Sequence, residues 1–327
     1  MKVVYRKLPS KKINCIATIG VFDGIHLGHR FILEKLKKLS LRQKVPSLVV
    51  TFDTPPQTLL EKSNRHKSDE FHGFLTDIED KKNIFASVGI DYLWLLKTNK
   101  SFLRLSGKQF IEYLFNHFSP KHLLVGEDFR FGYKGKSCIR YLEKVSKKYG
   151  FDVTVLKKIR KGSRIISSSL IRHLIKNAAF GKIENFLGRK YFIKGKIVKG
   201  SSLGRRLGYP TANIDYGGYV IPVSGVYSAI IEIGDRRYLC AVNIGERLSI
   251  NKSTEKILEA HIIKFKRNIL GKKIKLMFIK RIRNEKKFSS KENLIKAIAR
   301  DVSYVKKHYS ELKNLTASSL FEPTHCS

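Results

Sequence analysis

The stretch Thr18-Ile19-Gly20-Val21-Phe22-Asp23-Gly24-Ile25-His26-Leu27-Gly28-His29 decides how the first half of the chain is read. A β-branched run from Ile16 to Ile19 stops at Gly20, and two histidines bracketing Gly28 stand at the mouth of a segment with helical spacing. A strand, a tight turn and a helix N-terminus are therefore expected. Backbone N–H groups, the positive end of the helix and two imidazoles can then face one anion, and a nucleoside triphosphate suits such a site.

Working outward, Phe31, Ile32, Leu33, Leu36 and Leu39 recur among lysines and predict an amphipathic helix from about Leu27 to Arg42. Strand and helix patterns then alternate. Strands are expected at Ser47–Phe52, Asp91–Leu96, His122–Gly126 and Phe151–Leu156, with helices near Asp77–Ser87, Gly107–Phe118 and Cys138–Tyr149. Such alternation predicts a doubly wound parallel sheet, whose ligands sit beyond the carboxyl ends of the strands. At that edge Gly126-Glu127-Asp128-Phe129-Arg130-Phe131-Gly132 places a carboxylate, a guanidinium and two aromatic rings between glycines. Further on, Ser167-Ser168-Ser169 with Arg172 one turn later reads either as helix capping or as a grip on phosphate.

Near Leu187-Gly188-Arg189 helical spacing gives way to alternation, which predicts a domain boundary at about 185–190: one domain over 1–187 and a second over 188–315. Strands at Tyr191–Val198 and Ile257–Phe265, a hairpin of Gly225–Ile233 with Arg236–Val242, and a strand at Lys273–Ile282 predict a small antiparallel β-barrel. Ser289 and Glu292 form a capping-box pattern before a terminal helix using Leu294, Ile298, Val302 and Tyr304. The tail 316–327 has no pattern and is expected to be mobile. Within the barrel segment, Gly200-Ser201-Ser202-Leu203-Gly204-Arg205-Arg206-Leu207-Gly208-Tyr209-Pro210-Thr211-Ala212-Asn213 reads as a basic loop, its glycines allowing close backbone approach.

The length of 327 residues and 42% hydrophobic content allow two packed cores. Sixty-five Lys and Arg against 27 Asp and Glu leave a net charge of +38, which favours polyanionic partners, nucleotides and phosphorylated cofactors included. No nucleic-acid motif accompanies that charge. Cys15, Cys138, Cys240 and Cys326 are far apart and indicate neither a disulfide framework nor a zinc site, so a reducing cytoplasm is expected. No segment approaches the roughly 20 apolar residues of a membrane span, and Met1-Lys2-Val3-Val4-Tyr5-Arg6 opens no signal-peptide pattern.

In order and spacing, Phe22 to His29, Val125 to Gly132 and Ile166 to Arg172 resemble the motifs of bacterial FAD synthetases, the first being their H-x-G-H nucleotidyltransferase element. Gly-Tyr-Pro-Thr-Ala-Asn at 208–213 resembles the riboflavin kinase module. The resemblance implies a bifunctional enzyme that phosphorylates riboflavin to FMN and adenylylates FMN to FAD, with ATP as co-substrate and Mg²⁺ as cofactor. In the first domain His26 and His29 would bind ATP phosphates and stabilise departing pyrophosphate. Gly20, Phe22, Asp23, Gly24 and Gly28 would seat the nucleotide, and Ser167, Ser168 and Arg172 would grip phosphate. Asp128, Phe129, Arg130 and Phe131 would lie near the flavin or adenosine, and Arg283 of the second domain near its flavin. In that domain Thr211 and Asn213 would hold Mg²⁺ and phosphates, Gly204 to Gly208 would form a flap, and Glu259 would be the catalytic base.

Departures from the family pattern also stand in the chain. Pro55 occupies the place of a histidine in a Pro-His-Pro element, and Leu248 falls in a segment, 245–250, where Gly-x-Arg-Pro-Thr-Phe is usual. They leave one rival reading, a chain reduced to kinase activity, and the net charge leaves another, a basic nucleic-acid-binding protein on this scaffold. Oligomeric state is not legible.

Overall fold

The computed structural model describes residues 1–5, 11–57, 73–200, 203–248 and 254–308. Two compact units divide the chain between Ser169 and Leu170.

The first unit runs β1 (Lys2–Val4), β2 (Ile13–Ile19), α1 (Leu27–Gln43), β3 (Ser47–Phe52), α2 (Ile78–Ser87), β4 (Tyr92–Leu96), α3 (Lys100–Leu103), α4 (Gly107–His117) and β5 (Phe118–Gly126). A short hairpin of β6 (Arg130–Phe131) and β7 (Ser137–Cys138) follows, then α5 (Ile139–Tyr149), β8 (Asp152–Leu156) and a second hairpin, β9 (Arg160–Lys161) with β10 (Arg164–Ile165). Six strands form one parallel sheet in the order β1-β4-β3-β2-β5-β8. The chain leaves β2 towards β3 on one side and returns through β5 on the other, so the switch point lies beside the end of β2.

Apolar alternation explains the two covered faces. Ala17, Val50 and Trp94 point to one side, where Phe110, Ile111 and Leu114 of α4 and Leu142 of α5 pack on them. Their chain neighbours Ile16, Val49, Leu93 and Leu95 meet Leu33 and Leu36 of α1 and Ile84 and Phe85 of α2 on the other. Strands buried on both faces read as near-continuous apolar runs. Asp91 ties the layers together, accepting from Lys37 Nζ at 3.0 Å and from the Ser47 hydroxyl at 2.7 Å.

The second unit continues α6 (Ser168–Lys176) and adds α7 (Phe180–Leu187), β11 (Ile193–Val198), α8 (Leu203–Arg206), β12 (Ala212–Asp215), β13 (Gly225–Ile233), β14 (Arg236–Leu248), β15 (Thr254–Ile262), β16 (Lys273–Asn284) and α9 (Lys291–Lys307). Strands β11-β12-β15-β14-β13-β16 close into an antiparallel barrel, which leaves no sheet edge unpaired. Its interior holds Ile193, Ile231, Val242, Ile244, Leu258, Ala260 and Leu276, each at most 1% exposed.

Sequence texture changes at 185–190, whereas compactness divides the chain at 169/170. Packing is the reason. Phe180 of α7 stacks on Phe278 of the barrel at 5.5 Å, and the carbonyl of Lys176 accepts from the Val223 amide at 3.2 Å. Local spacing sees helices end; it does not see what they pack against.

Four details depart from the sequence expectation. β1 pairs with β4 at the sheet edge, a three-residue strand too short to show a pattern. β5 starts at Phe118, four residues before the expected His122. Asn213 lies on a strand, since β12 begins inside the segment read as a loop. The terminal helix is capped by Ser290, whose hydroxyl accepts from the Asn293 amide at 3.2 Å, not by Ser289 with Glu292. The tail 316–327 lies outside the described residues.

Candidate active sites

The first site forms where β2 ends. Three of four successive residues bend the chain there: Phe22 at φ 48°, Gly24 at φ 85° and Ile25 at φ 39°. Left-handed backbone at non-glycine residues costs about 1–3 kcal/mol each and survives only where the surroundings enforce it. Here Phe22 and Ile25 are buried at 2% and 0% exposure, so core packing supplies the enforcement. His26 then caps α1, its Nδ1 accepting from the His29 amide at 3.2 Å. The two imidazoles stack with centroids 3.7 Å apart and planes 14° from parallel. Gly28 permits the stack, because an added Cβ would lie 3.1 Å from His26 Nδ1.

His29 is held well below the ordinary histidine range, first by burial, then by the neighbouring His26 and by Lys81. Its Nδ1 is buried without a hydrogen-bond partner. A buried ring nitrogen without a partner suits an incoming anion, whose charge would favour protonation of His29 where burial now opposes it.

The remaining first-domain candidates divide by use. One Asp23 carboxylate oxygen accepts from the amides of Leu75 at 2.9 Å and Thr76 at 3.3 Å, so this side chain anchors the chain entering α2. Gly20 lies under the Phe22 ring, 3.1 Å from an added Cβ. The Ser168 hydroxyl donates to the Asp23 carbonyl at 2.8 Å and brings the serine motif to the turn. Ser167 precedes α6, and Arg172 is buried one turn into that helix, within the second unit. In the 126–132 loop, Asp128 is exposed and paired with Lys158 at 3.0 Å, Arg130 is exposed, and Phe129 stacks on Phe131 at 5.4 Å. Phe131 itself is only 6% exposed and belongs to the core with Phe110. The loop therefore offers Phe129 and two charges, with Phe131 as their support.

The second site is a row of side chains across the barrel. Asn213 of β12 stands opposite Glu259 of β15, which stands opposite Asn243 of β14. Directly opposed residues share a face. Ala260 and Val242 neighbour this row in sequence and fill the interior, so Asn213, Glu259 and Asn243 lie on the outer face. Sequence reasoning missed Asn243. Its signal exists only in register, because 16 residues separate it from Glu259.

Asn213 and Glu259 face each other across β12 and β15, close enough for the Asn213 side chain to act on the Glu259 carboxyl. Burial raises the Glu259 pKa above the ordinary carboxylate value, and the Asn213 side chain offsets part of the rise. Two glycines of the basic loop lie against the motif. A Cβ on Gly200 would overlap the Asn213 amide, and one on Gly204 would sit 2.9 Å from Thr211 Oγ1. The loop's other end is pinned by the His261 ring, whose Nδ1 lies 2.9 Å from the Pro210 carbonyl. Gly208, at φ 83°, makes the turn between them. A cleft lined by Arg206, Leu207, Phe288, Ser290, Lys291 and Leu294 opens between α8 and the start of α9.

Arg283 is engaged within the fold. Its guanidinium clamps Asp301 of α9 through Nε–Oδ1 at 3.0 Å and Nη2–Oδ2 at 2.8 Å, and lies over the Phe288 ring. Its evident work is docking the helix on the barrel.

Residues present fit a hard divalent cation. Asn213 Oδ1 and the Thr211 hydroxyl are the oxygen donors of the motif. Among the described residues, no group of three or more His, Cys, Asp or Glu side chains is placed to hold a metal. Nor is any helix among them long and apolar enough to cross a membrane.

A family model for FAD synthetase matches residues 8–170, and one for riboflavin kinase matches residues 187–309. The two matches define a two-domain enzyme, a nucleotidyltransferase joined to a kinase. The bifunctional riboflavin kinase/FMN adenylyltransferase of Escherichia coli strain K12 is 33% identical over 289 residues, spanning 88% of this chain and 90% of that relative. Its counterpart in Bacillus subtilis strain 168 is 29% identical, over 94% of this chain and 96% of the relative. The chain belongs to the bifunctional riboflavin kinase/FMN adenylyltransferase family. A crystal structure described as a macrolide-efflux protein from Streptococcus pneumoniae shares the fold, with a TM-score of 0.76 at 24% identity over 92% of this chain and 96% of that one.

Proposed function

We propose that the chain phosphorylates riboflavin to FMN at the barrel site and adenylylates FMN to FAD at the parallel-sheet site, in the cytoplasm. The observation that carries this reading is that two separate polar centres of different chemistry stand in one chain: a stacked histidine pair at a helix start and a glutamate flanked by two asparagines across the barrel strands. The functional domains run over 1–187 and 188–315.

At the sheet site an FMN phosphate oxygen attacks the α-phosphorus of ATP, the α–β bridging P–O bond breaks, and pyrophosphate leaves. Positioning and charge stabilisation do the work, without a protein nucleophile. His26, His29 and the amides at the start of α1 receive the phosphates, and Ser167 and Ser168 border them. Phe22, Gly24 and Gly28 shape the turn that makes this possible. Phe129 and Arg130 offer a ring and a charge to FMN or adenosine.

At the barrel site the ribityl hydroxyl of riboflavin attacks the γ-phosphorus, Glu259 takes its proton, and ADP leaves. A carboxylate with a raised pKa is the stronger base near neutral pH. Thr211 and Asn213 would hold Mg²⁺, which when bound neutralises phosphate charge. Gly204 to Gly208 form the flap beside the phosphates.

Incubating the protein with riboflavin, ATP and Mg²⁺ and separating the flavins tests both halves together. FMN followed by FAD is expected. FMN without FAD would mean a kinase whose adenylyltransferase domain lost function with Pro55, and no flavin turnover with tight, salt-sensitive RNA binding would overturn the reading.

A further inference from the structure

The sheet site has a charged neighbour that its reaction does not use. Residues 157–165, which carry the β9–β10 hairpin, include five Lys and Arg, and no Asp or Glu stands between Asp152 and Glu184. All four paired positions of the ribbon are exposed, so it adds nothing to the core. Lys158 is neutralised by Asp128 at 3.0 Å. Lys157, Arg160 and Arg164 are exposed, and among the described residues none of the three is in an ion pair. Arg160 donates to the Ser163 carbonyl at 2.8 Å, a neutral acceptor that leaves its charge in place.

The backbone sets this charge beside the histidine turn. The hairpin grows from the end of β8, where the Leu156 carbonyl accepts from the Glu127 amide at 3.0 Å, so it stands at the ligand-bearing edge of the sheet. Its arms close at the base, where the Ile166 amide donates to the Ile159 carbonyl at 3.0 Å. The Ile166 carbonyl in turn lies 3.8 Å from the place of a Cβ on Gly28, between His26 and His29. Arg160 adjoins that closure, and Arg164 is two residues from it, roughly 7 Å along an extended chain. Charges screen over about 8 Å at physiological ionic strength, so these act on an anion nearing the turn.

We propose that the β9–β10 hairpin is an electrostatic collector for the sheet site, in which Lys157, Arg160 and Arg164 draw a phosphorylated nucleotide towards the turn that carries His26 and His29. Fields of this kind raise encounter rates about 10- to 1000-fold and fade with salt. Bond making stays with the turn, so the hairpin acts on kcat/KM and not on kcat.

The inference rests on the proposed FMN adenylyltransferase activity. A wild-type protein that makes no FAD from FMN would defeat that activity, whereas an active wild type matched by the variant below would defeat only the collector.

The test is the triple change Lys157→Gln, Arg160→Gln and Arg164→Gln, with FAD formation followed while ATP and FMN are varied in turn. Ionic strengths of about 0.02 M and 0.5 M set the screening length to roughly 20 Å and 4 Å. At the lower value kcat/KM is expected to fall about tenfold, with kcat within about twofold of wild type. At the higher value the two proteins should agree within about twofold, and riboflavin phosphorylation should be unchanged at both. A loss confined to ATP or to FMN supports the collector and names the substrate it serves. Wild-type kcat/KM at low ionic strength for both substrates, or an equal loss at both ionic strengths, would overturn it. Arg160→Lys with Arg164→Lys keeps the charge and should match wild type within about twofold; a tenfold loss there would also overturn it. Should the triple variant fail to fold, Arg164→Gln alone is read by the same salt dependence, with about a threefold loss expected at low ionic strength.

Discussion

The sheet site and the barrel site solve one problem, presenting polar groups to phosphates, by opposite means. The sheet site is made by a break in regular structure. A strand ends, three residues take left-handed backbone, and a helix starts on a histidine. The barrel site is made by regularity, since strand register alone sets Asn213, Glu259 and Asn243 side by side. A site built on a turn needs support from behind, which the packing of Phe22 and Ile25 supplies. A site built on register needs little beyond a barrel that closes. The two should therefore fail in different ways when disturbed.

The largest effect separates the two chemistries. Glu259→Ala should lower FMN formation by about 10²- to 10⁴-fold while leaving FAD formation from supplied FMN. The double change His26→Ala with His29→Ala should do the reverse, as read by flavin chromatography with each substrate given separately. Parallel loss of both activities in either variant would break the comparison. The pH profile sharpens it. Glu259 must be ionised to accept a proton, and burial raises its pKa, so the kinase rate should climb with pH through a value above the ordinary carboxylate range and then level off.

A smaller effect tests what holds the barrel face. Arg283→Ala would strand the Asp301 carboxylate, whose side chain is 7% exposed, and should cost about 2–3 kcal/mol in denaturant unfolding of the second unit. Equal stability would show that α9 docks through Val302 and Val305 alone. The smallest effect probes close approach. Gly200→Ala would push a methyl into the Asn213 amide and should slow riboflavin phosphorylation about tenfold, leaving FAD formation unchanged.

Much of the fold was legible because burial imposes periodicity. Ser47–Phe52 was placed to the residue, and the helix predicted from Leu27 to Arg42 ends one residue later, at Gln43. The capping residue of α9 was missed because Ser289 and Ser290 are adjacent and both fit a local rule. β12 was missed because Ala212–Asp215 is four residues long and pairs only with β11 and β15, both remote in sequence. Among site residues, His26, His29, Thr211, Asn213 and Glu259 were visible in motifs. Asn243 was not, since it lies in no recognisable pattern and gains meaning from a neighbour across space.

The sequence by itself determined the alternation of strands and helices, the barrel that follows, and the motif residues offered to phosphate. Those follow from local spacing, which a single chain carries in full. Only the tertiary structure decided that Asp23 anchors the chain entering α2, that Phe131 supports its loop from the core, that Arg283 clamps a helix, and that α6 and α7 pack with the barrel. A side chain's type states what it can bind. Which of its possible partners is within 3 Å is fixed by contacts between residues far apart in the chain, and those exist only once the chain is folded.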